Sequence, residues 1–260
     1  MKNTAYIATR SIELNKFNNV QNFVSTLEDN GYVFIDSNSF QNLQEENHQI
    51  ISNKDKLEFV ESWKNLELDR FMSDNGTYRT RRHATFTTEG NGQNYSKNDY
   101  QPHYQTTEYN GLNGGIERFY KEIDSNTLKN PIFNSLIQLA YSAFDKGKMK
   151  KWYIEAHQFR IEAKDQSNGK PTPEGIHRDG VDYVLMAMVN KESVVGGVTT
   201  IYDLDKNKLA SFELENFLDI AMVNDHDVYH GVSEIHPQDN SDNKVGSRDV
   251  LVVTFKEIDK

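Results

Sequence analysis

The stretch His177-Arg178-Asp179-Gly180 places an imidazole and a carboxylate two residues apart, just before a strongly apolar run. At a strand end, residues i and i+2 share one face. Two such ligands can converge on one metal ion, and mixed nitrogen and oxygen ligation suits a first-row transition metal better than calcium or magnesium. A third ligand stands further along, in Asp227-Val228-Tyr229-His230-Gly231-Val232. There the apolar residues two before and two after His230 set its face on a predicted strand. His177, Asp179 and His230 would then form a facial triad that leaves positions open on the metal.

Each of the eight histidines also has an ordinary reading as a surface or hydrogen-bonded structural residue, and an isolated His-x-Asp is common. His226 lies in the turn-like Asn224-Asp225-His226-Asp227, and His236 precedes Pro237 at a strand end. His230 is embedded in an alternating strand and is the better distal ligand. In His157-Gln158-Phe159-Arg160 the histidine reads as structural, with Gln158 and Arg160 as candidate pocket residues. After a polar, turn-rich insert comes Gly246-Ser247-Arg248-Asp249-Val250-Leu251-Val252-Val253-Thr254-Phe255, an arginine opening a buried-looking strand. A guanidinium reaching into a barrel needs an anionic partner and fits a carboxylate bidentately.

The ordered set His177, Asp179, His230 and Arg248 resembles the iron(II)/2-oxoglutarate-dependent dioxygenases, for which the two-histidine, one-carboxylate triad is diagnostic. Pro173-Glu174-Gly175-Ile176-His177-Arg178-Asp179-Gly180, Gly196-Gly197, His230-Gly231-Val232 and Arg248-Asp249-Val250 look like the bacterial free-amino-acid hydroxylase branch, the group that contains L-isoleucine 4-hydroxylase. Val250 stands where many relatives outside this branch carry serine. The resemblance implies Fe(II) held by His177, Asp179 and His230. It further implies 2-oxoglutarate with its far carboxylate on Arg248 and Gln158 nearby, and dioxygen as co-reactant. The products would be succinate, carbon dioxide and an alcohol at an unactivated carbon. Related halogenases leave the carboxylate position to a small residue so that chloride can bind, so Asp179 favours hydroxylation. A free L-amino acid substrate, aliphatic or cyclic, needs one cation and one anion or carbonyl. Arg82, Arg160 and Asn110 are the candidate substrate residues.

The elements that must position these groups come in two parts, 1–150 helical and lid-forming and 151–260 metal-binding, within one expected domain. Val20, Phe23, Val24 and Leu27 have helical spacing, and Asn30-Gly31 is a stop signal. Tyr32 to Ile35 reads as a buried strand, and Phe40 to Leu68 as one or two surface helices. Tyr78 to Phe86 alternates as a strand with Tyr78, Arg82, Ala84 and Phe86 on one face. Arg79 and Arg81 then read as solvated and Arg82 as the better candidate for an internal anion partner, but the spacing leaves open which arginine of Arg79, Arg81 and Arg82 points inward. Asn91 to Gly115 is irregular over a length that suits a lid or binding loop. Its Asn110-Gly111-Leu112-Asn113-Gly114-Gly115 lacks the Lys-Ser/Thr of a phosphate loop. Pro131 to Phe144 is an apolar helix opened by proline.

From Trp152 on, short β-like runs follow one another: Trp152 to Ala163, Tyr183 to Val189, Val198 to Leu204, Lys208 to Leu214, Leu218 to Val223, Val228 to Ile235 and Arg248 to Ile258. Gly196-Gly197 and Asn224-Asp225 are turn positions. The expected fold is mainly β with flanking helices (α+β), a double-stranded β-helix or jelly-roll core braced by N-terminal and central helices.

Composition narrows the rest. At 260 residues one large domain with a substantial core is expected. A net charge of −10 argues against nucleic-acid and anionic-membrane partners, both of which want clustered positive charge. No cysteine is present, which excludes thiolate metal sites and disulfides. The N-terminus lacks the apolar core of a signal peptide and no run reaches membrane-spanning length, so a cytoplasmic enzyme acting on a small molecule is expected. Two rivals are a cupin-like metalloenzyme without 2-oxoglutarate, which would carry more histidines near the first pair, and a non-catalytic jelly-roll binding module, which would have no reason to keep all four site residues.

Overall fold

Strand alternation sorts this chain into two buried faces. The computed structural model describes residues 20–46, 51–88, 94–164, 167–238 and 245–258. In chain order the strands are β1 (Tyr32–Ile35), β2 (Glu67–Leu68), β3 (Arg79–Thr88), β4 (Tyr95–Lys97), β5 (Lys151–Ala163), β6 (Tyr183–Glu192), β7 (Val194–Gly196), β8 (Val198–Tyr202), β9 (Lys208–Glu213), β10 (Ile220–Asn224), β11 (Tyr229–Val232), β12 (Ile235–Pro237) and β13 (Gly246–Ile258). The helices are α1 (Val20–Asn30), α2 (Ser37–Glu46), α3 (Asn53–Glu61), α4 (Ser125–Leu128) and α5 (Pro131–Asp145). The main sheet runs β1-β10-β6-β13-β5-β3-β2, with β4 on β3. A second layer is made of β11-β8-β9 and β12-β7. This is the expected jelly roll with flanking helices.

Residues two apart along a strand share a face, and two apolar clusters follow from that. On one side of the main sheet Trp152, Ile154 and Ala156 of β5 and Leu251, Val253 and Phe255 of β13 pack with helical residues such as Phe23, Phe133 and Leu136. On the other side Val184, Met186 and Met188 of β6 and Val250 of β13 pack toward Ile201 of the second layer. The helix α5 is fixed at its start by Asn130, whose side chain accepts from the Ile132 N–H at 2.9 Å, with Pro131 in the first turn. Such a cap is worth about 1 kcal/mol.

Two expectations need correction here. The Phe40 to Leu68 stretch is not merely a surface layer. Phe40, Leu43, Phe59 and Trp63 are buried in the sheet–helix cluster, and the stretch ends in the short strand β2. The run Val228 to Ile235 is two strands rather than one, because β11 pairs with β8 while β12 pairs with β7. Residues 91–93 of the expected lid and the N-terminal stretch before Val20 lie outside the described residues. No helix among the described residues is long and apolar enough to cross a membrane.

Candidate metal centre

His177 and His230 are held against each other by their own backbones. The His177 N–H donates to the His230 carbonyl at 2.9 Å, and the His230 N–H returns the bond at 3.0 Å. The two rings are then brought close, tilted by 53° with centroids 4.4 Å apart. Asp179 closes the group: its Oδ1 is 3.7 Å from His177 Nε2 and its Oδ2 is 3.5 Å from His230 Nε2. One donor atom from each of the three lies within 4.8 Å of the others. The Nδ1 of His177 is 3.0 Å from the Gly175 carbonyl. A carbonyl can only accept, so Nδ1 carries the proton and Nε2 presents its lone pair to the centre.

The turn that carries Asp179 is tied down by the residue that follows β10, the neighbour of β6 in the main sheet. The Asp225 carboxylate accepts from the backbone N–H groups of Asp179, Gly180 and Val181 at 2.9, 2.8 and 3.2 Å. Gln105 donates to Asp179 Oδ1 at 3.3 Å. Burial pushes the Asp179 carboxyl above its ordinary range and the His230 ring down to about 3. Against burial, the carboxylates of Asp179 and Glu174 hold the His177 ring above its usual value. Two lone-pair-bearing imidazoles and one carboxylate, buried and converging, are a donor set for one first-row transition-metal ion, and the residues fit Fe(II).

A cavity opens from this centre toward Arg248, which lines it with Val184, Met186, Val250 and Val252. Arg248 is buried, its Nε has no partner, and it forms no ion pair among the described residues. Burial pushes its guanidinium down to about 10, so it remains a cation at neutral pH. Asn110 also lines this cavity, donating to Gln105 at 3.2 Å. A second cleft of about 560 Å³ adjoins the first and shares Gln105, Phe159, Asp179 and Val252 with it. That volume is in the range of small-molecule sites, about 300–1,000 Å³. Among the described residues, no histidine or arginine lines the clefts of about 530 and 770 Å³ under the helices.

Three expected pocket residues are elsewhere. Arg82 does share a side with Ala84 and Phe86, but that side faces the helices, where it donates to the Asn65 and Glu122 carbonyls and pairs with Asp124 at 2.6 Å. Gln158 shares the same outer face and donates to Ser62 Oγ at 3.0 Å. Arg160 is held bidentately by Asp249. By the same parity Arg79 and Arg81, expected in solvent, are buried and line the inner cavity. His226 instead pairs with Asp182 at 2.8 Å and His236 with Asn168, both away from the centre.

Sequence reasoning also missed a cluster in the barrel. His83, His103 and His157 gather around Glu155, with His103 Nδ1 2.5 Å, His157 Nε2 3.3 Å and His83 Nε2 3.4 Å from one oxygen, Oε2. Despite burial, the three imidazoles hold the Glu155 carboxyl well below its ordinary value. The alternation of Arg79, Arg81 and His83 on β3, matched to His157 and Phe159 on β5, was the available signal.

A family described as 2OG-Fe dioxygenase matches residues 60–254 of this chain. The 3(1)-hydroxy-L-isoleucine 4-dioxygenase of Pantoea ananatis (strain AJ13355) is 26% identical over 244 residues, covering 90% of this chain and 95% of that protein. The L-isoleucine-4-hydroxylase of Bacillus thuringiensis is 24% identical over 241 residues, covering 91% of this chain and 95% of that protein. Among solved structures, a bsmA homolog from Methylobium petroleophilum PM1 superposes with a TM-score of 0.81 at 28% identity, covering 92% of this chain and 93% of that one.

Proposed function

This chain belongs to the 2OG-Fe dioxygenase family, and we propose that it hydroxylates an unactivated carbon of a free L-amino acid with an aliphatic side chain. The observation that carries the reading is the convergence of His177, Asp179 and His230 in one cavity with Arg248, which has no ion pair among the described residues. The two curated relatives named for isoleucine chemistry point to the substrate class. The family's cofactor is Fe(II), with 2-oxoglutarate and dioxygen as co-reactants. Together they supply an oxidant for the C–H bond and release succinate and carbon dioxide.

The residues of this chain have separate tasks in that scheme. His177, Asp179 and His230 would hold the ion through one donor atom each. Arg248 pairs with the far carboxylate of 2-oxoglutarate, an arrangement that fits its fork-shaped donors. The apolar wall of Val184, Met186, Val250 and Val252 keeps water from that ion pair. Selectivity would then depend on which carbon the cavity residues of this chain place nearest the His177, Asp179 and His230 donor set.

Succinate release with Fe(II) and 2-oxoglutarate across a panel of free L-amino acids tests the reading. Stimulation by an aliphatic amino acid is expected, with Arg248→Ala raising the Michaelis constant for 2-oxoglutarate far more than that for the amino acid. Loss of a bidentate charged partner costs on the order of 2–5 kcal/mol. If no free amino acid stimulates succinate release, the substrate assignment is wrong. An unchanged 2-oxoglutarate constant would remove Arg248 from the site.

A further inference from the structure

Five arginines are buried among the described residues: Arg79, Arg81, Arg82, Arg118 and Arg248. Carboxylates match three of them, Arg79 to Asp69 at 2.7 Å, Arg81 to the same Asp69 at 3.6 Å and Arg82 to Asp124 at 2.6 Å. Arg118 and Arg248 form no ion pair among the described residues, and each leaves its Nε without a partner. Both line the cavity of the metal centre. A buried guanidinium without an anion is costly, so two of them facing one cavity call for two anionic groups on what binds there. The far carboxylate of 2-oxoglutarate accounts for one. Arg118 remains, and it is close to the chemistry. Its Nη2 donates to Gln105 Oε1 at 2.9 Å, and Gln105 donates in turn to Asp179.

The opposite charge lies in the adjoining cleft, which Glu155 lines together with Asp179. The imidazole nitrogens nearest Glu155 all stand against Oε2, and the Tyr153 side chain also interacts with this carboxylate. Arg81 Nη2 lies 2.6 Å from His157 Nδ1. A guanidinium can only donate, so His157 carries its ring proton on Nε2 and points it at Glu155. A ring committed in this way has no Nε2 lone pair for a metal, although His83, His103, His157 and Glu155 lie close enough to hold one. The cluster thus fixes an anion in place through Oε2.

We propose that Arg118 and Glu155 form a clamp for a zwitterion, Arg118 taking the α-carboxylate and Glu155 Oε1 the α-ammonium of the amino acid whose side chain is presented to the metal. The clamp rests on the free-amino-acid reading above and adds to it the two groups that enforce it. Arg118 replaces the arginine expected from the Arg79 to Arg82 run, since those three are already matched.

The test uses the full chain with Fe(II), 2-oxoglutarate and L-isoleucine, beside L-isoleucinamide and N-acetyl-L-isoleucine. Wild type should turn over the free amino acid and neither derivative. Arg118→Met and Glu155→Gln should each raise the Michaelis constant for L-isoleucine about thirtyfold or more, leaving that for 2-oxoglutarate nearly unchanged. Arg118→Met should also lose the preference for the acid over its amide, and Glu155→Gln the preference for the free amine over its acetylated form. The charge-keeping Arg118→Lys and Glu155→Asp should restore part of each. No turnover of any free amino acid overturns the functional reading itself. Turnover of L-isoleucine with these preferences intact in folded variants overturns only the clamp. Should the variants fail to fold, wild type decides, because equal use of either derivative overturns it. Two metal ions bound per chain in an anaerobic Co(II) titration, one of them lost in Glu155→Gln, would assign the cluster to a metal instead.

Discussion

At the scale of single residues, the metal ligands depend on a carboxylate that touches no metal. Asp225 is buried and accepts three consecutive backbone N–H groups, those of Asp179, Gly180 and Val181. These bonds fix the turn from which the Asp179 side chain reaches its position. Asp225→Ala should therefore weaken metal binding by about 10–100-fold, the usual effect of removing such a supporting partner. Anaerobic Co(II) titration by visible absorbance measures it, and full affinity in a folded Asp225→Ala would show that the turn holds its shape unaided. The triad itself was legible because spacing and strand pattern are local: a single residue separates His177 from Asp179, and an alternating run surrounds His230. Asp225 was legible only as part of a turn, since its partners lie more than forty positions earlier in the chain. Glu155 shared only the alternation of His157 and Phe159 on its strand, and Arg118 had no local pattern at all.

At the scale of elements, one parity decided most of what was misread. The run Arg79, Arg81 and His83 and the run Arg82, Ala84 and Phe86 are both half of one strand, and only pairing with β5 and the helices behind it says which is inward. The sequence pattern placed Arg82 correctly beside Ala84 and Phe86 but could not tell that this side meets helices rather than the cavity. Strand existence from Trp152 onward was legible because the apolar runs are long and well separated, whereas the break between β11 and β12 depends on a change of partner strand. The turn at Gly196-Gly197 was expected from composition, and the structure gives it a second purpose. Gly197 has φ +79°, and a Cβ there would stand 3.0 Å from Arg248 Cδ and 3.1 Å from its Nε. Gly197→Ala should cost about 1–2 kcal/mol of stability from the left-handed backbone. It should also displace the Arg248 side chain and weaken 2-oxoglutarate binding. Calorimetric titration of 2-oxoglutarate onto the metal-loaded protein checks this, and an unaltered affinity alongside a lowered Tm would confine Gly197 to shaping the turn.

At the scale of the molecule, the jelly roll uses its two faces differently: the outer is closed by apolar helices, and the inner carries ionisable groups far from bulk water. Burial pushes the His103 ring down to about 4 even beside the Glu155 carboxylate, and drives His157 well below its ordinary value. In the unfolded chain such rings titrate near pH 6.5. Between pH 6.5 and about 4 the unfolded chain thus binds more protons at these rings than the folded one, and their contribution to stability falls as pH falls through that window. Glu155 adds a loss of the same sign lower down, because its carboxyl is held below its ordinary value and must be protonated on the way to acid. Above pH 6.5 these three groups contribute no slope. Urea unfolding of the metal-free protein at stepped pH should accordingly show His103→Gln losing less stability than wild type between pH 6.5 and 4. The difference in slope is bounded by one proton, about 1.4 kcal/mol per pH unit. Parallel slopes in the two proteins would mean that His103 is already charged in the folded barrel, and that the Glu155 cluster is held by a protonated ring rather than by neutral ones.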